Sequence, residues 1–209
     1  MKGILSLLKN RTRKSGEDGQ DSVFFTTAFA GQGVDESLLV PWEARAVEIG
    51  AKRLPKSRGG KLLEALWAKD KYMALLDQNA VERMERFFEF ASVPPNRDVI
   101  RQDEYGNFMV VLLTGTIAVD RLQPWGEQLR LAETRPGDIL GEMSLLDSGI
   151  RFSACTTLTD CELAVLSAEA MDEMMGQDPQ LAASLVALLA RKLSLRLRAV
   201  SARLSENQR

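Results

Sequence analysis

Gly141-Glu142-Met143-Ser144-Leu145-Leu146-Asp147-Ser148-Gly149-Ile150-Arg151-Phe152-Ser153-Ala154 opens on a glycine and a carboxylate, runs through a short apolar turn, and returns to a cation, a hydroxyl and an alanine. An acid and a base in one loop, with small residues at both ends, suggest a cradle for a small molecule that carries both a hydroxyl and an anionic group. Arg135-Pro136-Gly137-Asp138, just ahead of the loop, is a strong turn signal.

Working outward, short apolar runs punctuated by Gly, Pro and Asp predict strands at Asp98–Gln102, Asn107–Leu113, Thr116–Arg121, Gln128–Glu133, Cys155–Thr157 and Glu162–Ser167. Thr114-Gly115 reads as the hairpin turn between the second and third of these. Short strands so separated indicate an antiparallel roll or barrel. Upstream, Val93-Pro94-Pro95 stops a helical region, because the residue before a proline resists the helical conformation. That region starts at Pro41, breaks over residues 56–60, and restarts at Lys61, with Leu62, Leu63, Leu66, Trp67, Met73, Leu75 and Leu76 as an apolar face. After Asn79, Val81, Met84, Phe87, Phe88 and Ala91 keep helical spacing.

Downstream of Ser167 a helix is expected over residues 169–176, then a break at Asp178-Pro179 and a long helix to about Glu206. In that helix Val186, Ala190, Leu193, Leu197, Val200 and Leu204 follow steps of four and three, the spacing of a coiled-coil seam. The stripe fits either packing on its own domain or homodimerisation. The expected organisation is a flexible basic and polar segment (residues 1–40), N-terminal helices (41–91), a β-roll (92–168) with its binding loop at 140–154, and C-terminal helices (169–209). The fold class is therefore α+β.

Composition narrows the function. The 209 residues are 45% hydrophobic, 27% charged and 6% aromatic, and they contain no histidine. Ser-His-Asp and Cys-His catalysis, an imidazole base and histidine metal sites are thereby excluded. Cys155 and Cys161 lack metal spacing and read as ordinary buried thiols. No paired-carboxylate motif stands out, so no enzyme is expected. No apolar run reaches a membrane span, and the start lacks a secretory cleavage pattern, so a cytoplasmic address is expected. Residues 1–14 carry five cations and no acid, and residues 179–209 six cations against Glu206; with an overall charge of −2 the middle stands at −12. A cationic end of this kind reads first as a solvated tail, and second as a contact for nucleic acid or an anionic membrane.

The ordered set Thr114-Gly115, Arg135-Pro136-Gly137-Asp138, Gly141-Glu142-Met143-Ser144-Leu145-Leu146, Ser153-Ala154 and Asp178-Pro179 before a long helix resembles the cyclic-nucleotide-binding domain family. The likeness covers about residues 70–205 and is of the catabolite-activator and kinase-regulatory-subunit type. It implies a phosphate-binding cassette in which Gly141 lets the backbone approach the ligand and Glu142 accepts from the ribose 2′-hydroxyl. A short helix beginning at Met143 and Ser144 would face the cyclic phosphate, Arg151 would neutralise it, and Ser153 and the Ala154 N–H would donate further. The implied ligand is cyclic AMP or cyclic GMP, with no other cofactor and no metal.

One departure matters. The family places arginine immediately before the small residues, whereas this chain reads Arg151-Phe152-Ser153-Ala154. In an extended segment a one-residue shift turns a side chain to the opposite face, so Arg151 is expected to miss the phosphate unless a bulge re-aims it. Losing that contact would remove roughly 1.5–3 kcal/mol, on the order of tenfold to a hundredfold in affinity. Two functions follow: a stand-alone sensor that signals to an unidentified protein partner through its helices, or a degenerate, non-binding scaffold. In transcription factors of this family the long helix also caps the base, and Ser194 and Arg196 are the residues placed for it. Such factors carry a helix-turn-helix after that helix; the sequence stops at Arg209, so no sequence-specific DNA binding is expected.

Overall fold

The switch from helix to strand precedes the Pro94-Pro95 pair. The computed structural model of the protein describes residues 24–71, 73 and 78–206. Expectations placed on residues 1–23 and 74–77, including the cationic start and Leu75 and Leu76, lie outside them. Helix Gln78–Glu85 (α4) stops early, and Glu89–Val93 (β2) is a strand. Phe87, Phe88 and Ala91 were expected to continue the helix, yet Phe90 and Ala91 fall on opposite faces of β2, each buried in a different cluster. Five residues buried on both faces carry no period that separates strand from helix.

The strands are Lys52–Arg53 (β1), β2, Asp98–Ile100 (β3), Phe108–Thr114 (β4), Ile117–Leu122 (β5), Gln128–Glu133 (β6), Ile139–Leu140 (β7), Ala154–Thr157 (β8) and Cys161–Ser167 (β9). They form two antiparallel sheets ordered β1-β2-β9-β4-β7 and β3-β8-β5-β6. The α+β roll is thus as expected, and it is flanked by helices at both ends. Gly115 makes the β4–β5 turn at φ +91°, where an added Cβ would meet the Asp160 carbonyl oxygen at 2.4 Å.

β4 is central. Met109, Val111 and Leu113 join the cluster under the helices, while Phe108, Val110 and Leu112 join the cluster inside the roll. The pleat divides one apolar run between two cores. β9 is split likewise, with Ala164 and Leu166 outward and Leu163 and Val165 inward.

Helix Lys56–Trp67 (α3) begins five residues before the expected start and runs through Gly59 and Gly60. These glycines do not break it. A Cβ at residue 59 would stand 2.2 Å from Phe90 Cδ1 and 2.8 Å from Phe90 Cβ, so close packing requires glycine there, while Gly60 lies against the Glu85 carboxylate. Ahead of α3, residues 24–40 were expected to be part of a flexible segment, but they carry helix Phe25–Gly31 (α1) with Phe25 and Phe29 buried. Helix Trp42–Ile49 (α2) follows and ends at Gly50 in the left-handed region.

A short helix, Glu142–Asp147 (α5), opens the quoted loop, and Ala168–Gln177 (α6) leads to the long helix Pro179–Glu206 (α7). α7 buries Leu181, Ala182, Leu185, Leu188 and Leu189 in the helical core, but Leu195, Leu197, Val200 and Leu204 are exposed. The face that packs on the core is therefore not the expected coiled-coil stripe: of that stripe Val186 and Leu193 are half-buried, and Ala190, Leu197, Val200 and Leu204 are exposed. Among the described residues no helix is long and apolar enough to cross a membrane.

Leu163 is buried within the roll on a strand paired on both sides. Leu163→Ala is expected to cost about 2–5 kcal/mol, read as a lower urea midpoint with an unchanged slope.

Candidate functional site

The turn from β7 into α5 is built on Gly141, which adopts φ +77°. A Cβ there would lie 2.6 Å from Arg151 Nη1, 2.8 Å from Ile100 Cδ1 and 3.1 Å from the Phe108 carbonyl oxygen, so only glycine fits. Ser148 ends α5, also with positive φ, and it is buried.

Arg151 turns into the loop. Its Nη1 donates to the Gly141 carbonyl at 2.8 Å and its Nη2 to the Phe108 carbonyl at 2.6 Å. Its guanidinium carbon lies 4.7 Å from the Phe108 ring centroid. β8 begins only at Ala154, so residues 151–153 are not extended strand and the strand alternation behind the expected outward orientation does not apply. Phe152 is the side chain left outside: it is exposed, stacks 4.0 Å from the Arg121 guanidinium carbon, and accepts on its carbonyl from Arg121.

The electrostatics of Arg151 are unusual. The residue is 2% exposed, yet among the described residues it forms no ion pair. Burial pushes its guanidinium down to about 10, with Arg45 acting in the same sense and the Glu142 and Glu104 charges opposing. It is still charged at neutral pH. Cys155, likewise buried, has its thiol pushed up to about 12 and is an ordinary core thiol.

Glu142 is 3% exposed, and its Oε1 accepts from Arg196 Nη1 at 2.7 Å. Arg196 also donates to the Ile139 carbonyl at 3.4 Å, and Lys192, one turn earlier on α7, donates to the Gly137 carbonyl at 3.3 Å. α7 is thus fastened along the cassette edge. Arg196, placed by the sequence for a base, instead meets the carboxylate. Met143 is exposed, Ser144 is buried, and Ser153 and Ala154 are half-buried. The fold brings Gly141, Glu142 and Arg151 together; Met143 projects away.

A crevice beside Arg151, lined also by Arg45, Arg101, Glu104, Tyr105 and Phe108, is too narrow for water. A groove of about 240 Å³ lies elsewhere, between α3 and α4, where Lys56 and Lys61 face Glu64, Glu82 and Glu85. Its mixed charges match no ligand class suggested by the cassette. Among the described residues no group of three metal-ligating side chains is present.

Sequence reasoning missed the Phe108 carbonyl and the Arg196 partnership. The first is a backbone atom, and the second joins residues 54 positions apart with no local signal.

Residues 90–178 match the family model of the cyclic nucleotide-binding domain. The matched stretch runs from β2 through α6. A CRP-like cAMP-activated global transcriptional regulator of Mycobacterium tuberculosis is 25% identical over 118 residues, 56% of this chain and 53% of its own. The Cyclic AMP receptor protein of Thermus thermophilus is 32% identical over 107 residues, covering 51% and 50%. The chain thus spans about half the length of these curated relatives. Among solved structures, a cyclic nucleotide-binding domain from Methylobacillus flagellatus shares the fold with a TM-score of 0.68 and 21% identity, covering 73% of this chain and 86% of that one. The Thermus thermophilus catabolite activator protein aligns with a TM-score of 0.54 and 29% identity over 62% of each chain.

Gly141→Ala forces a side chain into the left-handed region and against Arg151. It is expected to lower stability by about 1–3 kcal/mol, measured by thermal unfolding.

Proposed function

We propose that this chain is a regulatory module that binds cyclic AMP or cyclic GMP in the roll and passes the bound state to a partner through its helices. One observation carries the reading: a buried guanidinium with no carboxylate partner among the described residues, held against the Gly141 carbonyl beside the buried Glu142. A buried charge without a counter-ion is costly, and an anion supplied from outside would offset that cost. A cyclic phosphate meets the need while its ribose hydroxyl donates to Glu142, so Gly141, Glu142, Arg151, Ser153 and the Ala154 N–H form the proposed site. Ser144, in the first turn of α5, supports it from the buried side. Met143 stands at its rim.

The degenerate-scaffold reading is favoured by a different observation: Arg196 already occupies Glu142, and the crevice at Arg151 is too narrow for a water molecule. Titration calorimetry with each nucleotide decides between them. Micromolar binding by the wild type, weakened at least tenfold by Arg151→Met and by Glu142→Ala, is expected for the sensor. Heat from neither nucleotide would leave the scaffold. For the sensor, ligand at 100 times Kd should also stabilise the fold by about 2.7 kcal/mol.

The bare stripe of Leu197, Val200 and Leu204 suits a second copy of the same helix. In sedimentation velocity, Leu197→Glu combined with Leu204→Glu is expected to convert a dimer to a monomer.

A further inference from the structure

The segment ahead of the family-matched stretch runs across the face of the roll that carries Arg151. Its first anchor is Asp172 on α6, a buried carboxylate that accepts from the N–H groups of Phe24, Phe25 and Thr26 at 2.7, 2.8 and 2.9 Å, and from Thr26 Oγ1 at 2.8 Å. One carboxylate thereby holds the entry to α1. At the far end of α1, Gln32 Nε2 donates to the carbonyl of Asp147, the last residue of the cassette helix, at 2.6 Å.

The chain then reaches the loop over residues 103–105. Val40 N donates to the Tyr105 carbonyl at 2.9 Å, and the buried Arg45 pairs with Glu104. That loop brackets the backbone of Arg151: Asp103 N donates to the Arg151 carbonyl at 2.9 Å, and Arg151 N donates to the Glu104 carbonyl at 2.8 Å. Trp42 stacks edge-on against Phe108 with centroids 5.5 Å apart. The Phe108 carbonyl and ring are the groups that hold the Arg151 guanidinium.

We propose that residues 24–50 are a positioning strap for the cassette: Asp172 and Glu104 hold the strap, and the strap holds the loop and ring that aim Arg151 at its anion. The proposal rests on the cyclic-nucleotide reading for the identity of that anion. Arg45, Trp42 and Glu104 are positioning residues, since they act on Arg151 rather than on the ligand. Coupling is reciprocal: a strap that favours the binding orientation is itself steadied when ligand fixes Arg151.

Hydrogen exchange followed by mass spectrometry on the full chain tests this, with wild type, Asp172→Ala and Glu104→Gln compared alone and with 1 mM cyclic AMP or cyclic GMP. Without ligand, Asp172→Ala is expected to speed exchange over residues 25–32 roughly tenfold and over 147–152 severalfold, while amides of β4 and β9 stay unchanged. Faster exchange over 25–32 with no change over 147–152 would overturn the strap. Should Asp172→Ala loosen β4 and β9 as well, Glu104→Gln, which keeps shape and removes charge, gives the same comparison over 103–106 and 147–152. With ligand, the wild type is expected to slow exchange over 25–45, and Glu104→Gln to raise the Kd three- to tenfold. A wild type that binds neither nucleotide defeats the ligand reading alone, and the ligand-free comparison still decides the strap.

Discussion

The constraint from which the rest of this structure follows is the lodging of one guanidinium inside a β-roll. A buried arginine needs acceptors, and here they are two main-chain carbonyls, Gly141 and Phe108, instead of a carboxylate. Each has to be delivered by the fold. Phe108 opens β4, which is fixed between β7 and β9, so its carbonyl position is set by two ladders. Gly141 delivers the other by taking a left-handed conformation that no side chain would permit at that distance. Gly106 is shaped by the same neighbour, since a Cβ there would fall 2.7 Å from Arg151 Nη2. Carbonyls solvate the charge without neutralising it. The buried guanidinium therefore keeps its positive potential.

Turn chemistry made much of this legible. Thr114-Gly115, the Arg135–Asp138 turn and the Gly141-Glu142 step each demand particular backbone angles, and the elements beside them begin and end within a residue or two of expectation. Where packing alone decides, the sequence was silent. Gly59 and Gly60 read as a helix break because glycine favours turns, yet both lie inside α3, where Gly59 is needed for contact with Phe90. β2 is buried on both faces and so lost its alternation. α1 docks through a carboxylate 146 to 148 residues away, which no local pattern announces.

The phase of Arg151 is the more instructive miss. Alternation holds only where the chain is a paired strand, and residues 151–153 lie between α5 and β8. Two backbone bonds to the 103–104 turn set the direction of this stretch instead. Phe152 then turns outward onto Arg121, and the arginine gains the interior. The guanidinium therefore lands on the Gly141 carbonyl, ten residues back in the chain, and not on the face that strand alternation counted from Ala154 would give it.

α7 shows how such a site can reach the rest of the molecule. Its first half is core, and its second half is an exposed apolar stripe with cations beside it. The transition falls where Lys192 and Arg196 grip the β7 edge and Glu142. Arg196 is half exposed, so its hold on Glu142 is partly screened by water and is weak beside a fully buried pair. Glu142, by contrast, is buried and keeps a strong need for a donor. On the proposed reading, a ligand hydroxyl that meets this need would share the carboxylate with the contact that fastens the helix. On that reading, occupancy of the cassette and the position of the apolar stripe meet at one carboxylate.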